Sequence, residues 1–280
     1  MTLLSRSPQS PNRGLALAVS RLHRAPLWGL ALLVVAGAVG LNEVHELRSA
    51  QLLAWLAPGI AACVGAALIG REWERGTVTL VWTQSVSPAR WLAMKLAVPA
   101  AALLAGTAVL TLLFRWRWLA GADGGVNRWH SEYFHAAGPV GPAYVLLGLA
   151  LGALAALLTR RTLPATGLAV AGIGLAYHLG DRFRSSLWPA TERRGPWDAS
   201  LNHVDQLELG MITEAGERVN GLDCGARAAC LAEHGAVDFY AKFHPTAHYW
   251  PIQLVETGIL LILTAATLAA TFHTLRRTLP

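Results

Sequence analysis

A charged and aromatic segment at residues 71–95 separates two apolar runs and carries the side chains best suited to contact a soluble partner. It opens with "REWERGT", in which Arg71 and Arg75 flank Glu72 and Glu74. Carboxylates and guanidinium groups at a membrane edge can form ion pairs and charge-assisted hydrogen bonds. We therefore expect the segment to be held in place by its charges.

Helix start and stop signals divide this segment further. Gly76 can end the preceding helix, and Thr77 can cap a short helix at 78–84. Ser87 followed by Pro88 is a start signal for the next helix. The pattern predicts a short stiff element along the membrane surface, which would suit transmission of force from a soluble partner. A solvated loop with interfacial tryptophans is the alternative.

A second group of polar residues lies within apolar runs near their predicted outer ends. Glu256 follows Gln253 by about one helical turn, and His178 and Asp181 are candidate neighbours from another run. A carboxylate within a membrane is costly unless it is paired, protonated or hydrated. Glu256, Gln253 and His178 therefore either form a polar lining between the helices or make interhelical hydrogen bonds.

The histidines give only weak signals for a metal site. His244 and His248 are four positions apart, but Pro245 interrupts them, and "HSEYFH" at 130–135 is not a metalloprotease motif. We predict no metal site from these patterns, although zinc remains a minor alternative.

Motifs for enzyme chemistry are also missing from the sequence. No G-x-S-x-G is present, and neither lysine, Lys95 or Lys242, lies in a nucleotide-binding P-loop. Any ATP-driven role therefore needs a partner subunit. Two other functions stay open: an intramembrane hydrolase or transferase that uses Glu256, His178 and the outer histidines, or a sensor whose outer cap binds a ligand.

Composition indicates which elements must position these residues. Hydrophobic residues make up 54% of the chain and charged residues only 14%, against about 25% charged residues in soluble domains. Six apolar runs are long enough to cross a bilayer as helices: 26–41, 52–70, 96–114, 140–158, 163–179 and 252–272. We predict an all-α polytopic membrane protein with six transmembrane helices.

The distribution of basic residues predicts the orientation of these helices. With the N-terminus inside, the inner segments hold Arg6, Arg13, Arg21, Arg24, Arg71, Arg75, Arg90, Lys95, Arg160, Arg161, Arg276 and Arg277, and the short outer loops hold Arg48, Arg115, Arg117 and Arg128. Positive residues accumulate on the cytoplasmic side, so we predict both termini inside. The basic residues are scattered over several helix ends, so no nucleic-acid partner is expected.

This topology divides the chain into four parts. Residues 1–25 form a cytoplasmic segment with an interfacial helix, and 26–180 hold the first five spans with the cytoplasmic loop 71–95. Residues 181–249 form a small extracellular cap, and 250–280 form the last span and a cytoplasmic tail.

Two cysteines, Cys224 and Cys230, fall in this outer segment. Because the outer compartment is oxidising, we predict a disulfide between them, with two free thiols as the alternative.

The stretch "REWERGTVTLVWTQSVSPARWLAMKL" resembles the first inner loop of bacterial ABC export permeases of the second membrane-domain type. The matching positions are Glu72, Glu74, Gly76, Thr77, Ser87, Pro88, Arg90, Trp91 and Lys95. The later stretch "FHPTAHYWPIQLVETGILL" resembles an actinobacterial subgroup with a long outer loop before the last helix. That loop is much shorter in many members of the family.

The resemblance implies a permease subunit of an ATP-binding-cassette exporter in the bacterial cytoplasmic membrane. Its partners would be a separate ATPase subunit, which holds ATP and magnesium, and a second permease copy, identical or a paralogue, with which it forms a dimer. No cofactor is expected in this chain. The residues that match the inner loop would then couple ATP hydrolysis in the partner to export.

Overall fold

The structure, a computed structural model, describes residues 46–77, 87–119, 128–195, 204–220, 233 and 235–277. The helices are α1 (Glu46–Glu74), α2 (Pro88–Leu119), α3 (Ser131–Ala136), α4 (Val140–Thr159), α5 (Thr162–Phe183) and α6 (Tyr249–Arg277). The strands are β1 (Thr191–Arg194), β2 (Asp205–Thr213), β3 (Arg218–Asn220) and β4 (Ala236–His244), and 3-10 turns lie at Arg184–Ser186 and Thr246–His248.

Five of the described helices, all except α3, are long and apolar enough to cross a membrane. They correspond to the second to sixth predicted runs, which confirms a mostly helical, multi-pass membrane protein. The first predicted run at 26–41 and the interfacial helix before it lie outside the described residues. The count of six spans therefore stays a prediction.

Small residues allow α1 and α4 to pack closely. A methyl group placed on Gly65 of α1 would overlap the Leu149 backbone, and one placed on Gly152 of α4 would overlap the backbone at Ala62. Close backbone approach through small residues is the usual basis of helix association in membranes. The α1–α4 pair forms the centre of the bundle, and the other spans pack around it.

The predicted inner helix ends meet at one end of the bundle. Ile69 near the end of α1, Leu92 near the start of α2 and Leu275 near the end of α6 belong to one buried cluster. The same cluster includes Leu157 of α4 and Ala165 of α5. The basic residues assigned to the inner side in these elements are therefore brought to a common end of the protein.

The segment before α4 is buried, although the sequence suggested a short outer loop there. Trp129, Phe134 and His135 are almost fully inaccessible and pack against α4, α5 or the start of α6. Helix α3 thus packs between α4, α5 and the start of α6 and adds polar groups to the interior.

The segment between α5 and α6, predicted to lie outside, contains an antiparallel four-stranded sheet with the order β1-β4-β2-β3. The predicted all-α fold class is wrong for this part of the chain. Apolar and polar residues alternate in β4, "AVDFYAKFH", as is typical of strands. In its second half both faces are covered, since Tyr240 and His244 are buried as well as Ala241 and Phe243. The predicted disulfide partners Cys224 and Cys230 lie outside the described residues.

Candidate functional site

The end of α1 is fixed by a local backbone motif. Gly76 has φ +67°, and its N–H donates to Trp73 O at 3.2 Å. The N–H of Thr77 donates to Glu72 O at 3.1 Å, which completes a Schellman arrangement. Glycine takes this left-handed conformation without the strain a Cβ would cause. The prediction that Gly76 ends this helix is confirmed.

Glu72 leaves this helix end toward α2 and forms an ion pair with Lys95. The lysine is only 3% exposed, and its ammonium group also lies 4.7 Å from the centre of the Trp91 ring. A buried cation needs such a partner, since an unpaired charge in a membrane protein is strongly unfavourable. The pair therefore joins the end of α1 to α2.

Glu74, two positions further, points to α5 instead. Its carboxylate accepts hydrogen bonds from the Thr162 N–H at 2.8 Å and from the Thr162 hydroxyl at 2.9 Å. No side chain within α5 caps this helix start, so a carboxylate from α1 takes that role. The contact is possible because Gly70 lies against Thr162, where a Cβ would meet backbone atoms within 3.0 Å.

The C-terminal end of segment 71–95 also agrees with the helix-start signal predicted at Ser87 and Pro88. Helix α2 begins at Pro88, and Ser87 O accepts the Trp91 N–H at 3.0 Å, which confirms the predicted start. Arg90 lies on the exposed side of the first turn. The predicted short helix at 78–84 lies outside the described residues, so its form stays a prediction.

Sequence reasoning missed the contacts that tie this segment to α4 and α5. Thr162 is 88 positions from Glu74, and nothing in its local sequence marks it as a partner. The Arg160 guanidinium lies 5.0 Å from the centre of the Trp73 ring, which adds a second contact between these elements. Arg160 has φ +56° in the tight turn that joins α4 to α5.

Glu256 lies at the opposite end of the bundle in a buried polar cluster. Its carboxylate is 3.4 Å from His135 Nε2 and 3.6 Å from Arg184 Nε, and it accepts a hydrogen bond from the Tyr144 hydroxyl at 3.2 Å. Arg184 also forms an ion pair with Asp181 at 3.0 Å. These contacts join α3, α4 and α6 with the turn after α5.

The other residues predicted beside Glu256 are placed differently. Gln253 is fully buried and donates to the Phe134 carbonyl at 2.6 Å. His178 is exposed, and no contact brings it to Glu256. Asp181 reaches Glu256 only through Arg184. The sequence missed Arg184 and His135 as partners because both lay in segments expected to be outside the bundle.

The geometry at His135 does not fit activation of Ser131 as a nucleophile. Its Nδ1 lies 2.6 Å from the carbonyl of Ser131, so Nδ1 carries a proton and donates it there. The Ser131 hydroxyl is 3.5 Å from the same nitrogen. A protonated Nδ1 cannot accept the hydroxyl proton, which is what activation of a serine nucleophile requires.

An apolar groove of about 410 Å³ runs between α4, α5 and α6. Leucine and isoleucine side chains such as Leu175 and Ile259 line most of it. The polar side chains at its wall are the Glu256 carboxylate and the hydroxyl groups of Tyr144 and Thr267. The buried polar cluster therefore borders a space that is otherwise hydrocarbon-like.

The five described helices that are long and apolar enough to cross a membrane define a polytopic membrane protein. The family of ABC-2 membrane transporter related proteins matches residues 33–181, which is more than half of the chain, and the chain belongs to this family. It is thus placed among membrane subunits of ABC transporters. No curated protein and no solved structure matches the chain.

Proposed function

We propose that the chain is the permease subunit of an ATP-binding-cassette exporter in the bacterial cytoplasmic membrane. The segment 71–95 faces the cytoplasm and docks on a separate ATPase subunit. ATP and magnesium bind in that subunit. Family membership supports the transport role and the ATPase partner. The export direction rests on the resemblance of the inner loop to export permeases.

The observation that carries the proposal is the double anchorage of the α1 end. Glu72 pairs with Lys95 of α2, and Glu74 caps α5 at Thr162. A force applied to the segment between α1 and α2 would therefore reach three spanning helices at once. A simple connecting loop needs no such attachment.

In this proposal the coupling residues lie at the two ends of the segment. Glu72, Glu74, Gly76 and Thr77 fix its start, Ser87 and Pro88 fix its end, and Arg90 is exposed on the first turn of α2. The residues between these ends would contact the ATPase. The framework then converts movement of the ATPase into movement of α1, α2 and α5.

The proposed assembly contains a second permease copy, identical or a paralogue. Large apolar side chains such as Leu163, Leu168 and Ile262 are exposed on α5 and α6 and would face lipid or the second copy. Native mass spectrometry of the detergent-purified complex tests this, with two permease chains expected. A complex with one permease chain would contradict the dimer.

We further propose that Glu256 lines part of the export path. It borders the groove between α4, α5 and α6, and its polar cluster is a place where a polar group of a substrate could bind. Gln253 holds α3 in place through its hydrogen bond to the Phe134 carbonyl. His178 lies on the exposed face of α5.

The coupling proposal is tested by Glu74→Ala. This change removes the cap of α5 but leaves the apolar spans intact, so insertion and expression should stay close to normal. Vanadate-sensitive ATP hydrolysis in the affinity-purified complex should fall strongly, as should the amount of ATPase that co-purifies. Glu217→Ala, which removes an exposed carboxylate of the outer segment, is the matched control and should change neither quantity.

A second variant tests the backbone hydrogen bond at the end of α1 separately from the charge of Glu74. Thr77→Pro removes the N–H that donates to Glu72 O, whereas Thr77→Ala keeps it. We expect loss of coupling in the proline variant and little change in the alanine variant. Normal ATPase binding and hydrolysis in both Glu74→Ala and Thr77→Pro would contradict the proposal.

A further inference from the structure

Two histidine rings face each other at the junction of the outer sheet and α6, and the proposed transport function does not use them. His244 ends β4, and His248 ends the 3-10 turn before α6. Their Nδ1 atoms lie 3.3 Å apart. His244 is 0% exposed, whereas His248 is partly exposed. A small ion could therefore reach the pair from the outer side.

The backbone between the two residues explains how they converge. Pro245 has φ −67° and ψ 162°, which is extended, and the His248 N–H donates to Pro245 O at 2.9 Å. The chain leaves the strand and immediately forms one tight turn. Pro245 prevents a shared helix face, as the sequence indicated, but the turn brings the two rings together instead.

The separation of the two nitrogens matches that of two ligands on one metal ion. Nitrogens at about 2.0–2.1 Å from a tetrahedral zinc ion lie about 3.3–3.4 Å from each other. The H-x-x-x-H spacing of His244 and His248 is also one that occurs among zinc ligands. A direct N–H···N hydrogen bond between the two rings is the alternative and is also compatible with 3.3 Å, so metal binding has to distinguish the two.

A second contact prepares His244 for such a role. Its Nε2 lies 3.0 Å from the carbonyl of Ser185, so Nε2 carries the proton and donates it there. The lone pair of Nδ1 then points toward His248. Metal-binding histidines are typically oriented in this way, by a hydrogen bond from the other ring nitrogen to a carbonyl or carboxylate.

We propose that His244 and His248 form a binding site for a divalent transition-metal ion of the zinc, nickel or copper type. Imidazole nitrogens suit these ions better than they suit calcium or magnesium. Within the part of the chain that the structure describes, no three ligating side chains converge, so water would fill the remaining positions. The ion would tie β4 to the start of α6, with Ser185 holding the site from the turn after α5.

Copper binding to the purified chain tests this site directly. The chain would carry an affinity tag without histidine, and Cys63, Cys224 and Cys230 would be replaced by serine so that thiols cannot bind the ion. After removal of metals with EDTA, Cu²⁺ is added and followed by electron paramagnetic resonance. We expect one ion per chain with hyperfine coupling to two nitrogens, and competition by Zn²⁺ only in large excess, because such a site binds copper more tightly than zinc.

Matched histidine variants assign the ligands. His248→Gln should weaken Cu²⁺ binding by at least about tenfold, because it removes one of two ligands. His130→Gln should leave binding unchanged, since His130 is an exposed outer histidine that pairs with Glu132. Unchanged binding in His248→Gln, or no binding by the parent, would show that the pair is only a hydrogen bond.

A measurement on the unchanged histidines covers the case in which His248→Gln does not fold. In protein labelled with ¹⁵N-histidine, Zn²⁺ should shift the Nδ1 resonances of two residues together. Absence of such a pair of shifts at saturating Zn²⁺ would overturn the proposal independently of any substitution.

Discussion

Glu72 and Glu74 lie two positions apart at the end of α1, and on a helix this spacing directs side chains to different sides. Glu72 therefore reaches Lys95 on α2, whereas Glu74 reaches Thr162 at the start of α5. The contact of Glu72 is buried and that of Glu74 is exposed to solvent. We expect Glu72 to matter mainly for stability and Glu74 mainly for coupling.

The stability role of Glu72 is tested with Lys95→Met. Loss of one partner of a fully buried ion pair costs roughly 3–5 kcal/mol, and the cost here should be lower because the Glu72 side chain remains partly exposed. The thermal unfolding midpoint in detergent should fall clearly. Adding Glu72→Gln to Lys95→Met should restore part of the loss, because no unpaired charge remains. Strictly additive effects of the two changes would show that the pair contributes no coupling energy.

Glu256→Gln tests the role of the buried polar cluster that contains Glu256, His135 and Arg184. This change removes the charge that faces His135 and Arg184 but keeps the shape of the side chain. ATPase co-purification should stay normal, because the inner loop is unaffected. The pH profile of ATP hydrolysis by the complex in vesicles should change if Glu256 lines the path. Glu132→Gln, a nearby carboxylate outside the groove, is the control. An unchanged pH profile with lower thermal stability would assign Glu256 to packing alone.

At the scale of elements, the centre of the bundle depends on how closely α1 and α4 approach. Gly152→Ala places a methyl group against the Ala62 backbone and should destabilise the protein by about 1–3 kcal/mol, as other overpacked cores do. Gly167→Ala on α5 is the matched control, because nothing lies within 4 Å of the added methyl group. The thermal unfolding midpoint should therefore fall in Gly152→Ala and should stay the same or rise in Gly167→Ala. Equal midpoints would mean that the backbones separate without cost.

The elements that the sequence predicted well are those with local signals. Gly76 and Pro88 ended and started helices where expected, because glycine and proline act on their own backbone. The Glu74–Thr162 contact joins distant parts of the chain and has no local signal. The sheet between α5 and α6 was missed although β2 and β4 have nine residues each, because a polar segment between two spans was expected to form only a small cap on an all-α protein.

The predicted orientation of the protein in the membrane rests on the basic residues at the helix ends. The structure gathers the predicted inner ends of α1, α2, α4, α5 and α6 at one end of the bundle. Single cysteines introduced in a cysteine-free chain test which side this is. Positions Ser87 and Arg160 should resist an impermeant thiol reagent in intact cells, whereas Ser200 should react. Labelling of position 87 from outside would reverse the topology and remove the basis for ATPase docking.

The central claim is that the segment between α1 and α2 is the docking element of an ATPase. Scrambling residues 78–84, with Glu72, Glu74 and Pro88 kept, leaves every described anchor in place. We predict normal insertion and an unchanged thermal midpoint of the permease, together with loss of vanadate-sensitive ATP hydrolysis from the affinity-purified complex. A scrambled chain that co-purifies the ATPase and supports normal hydrolysis would show that the segment only connects two helices.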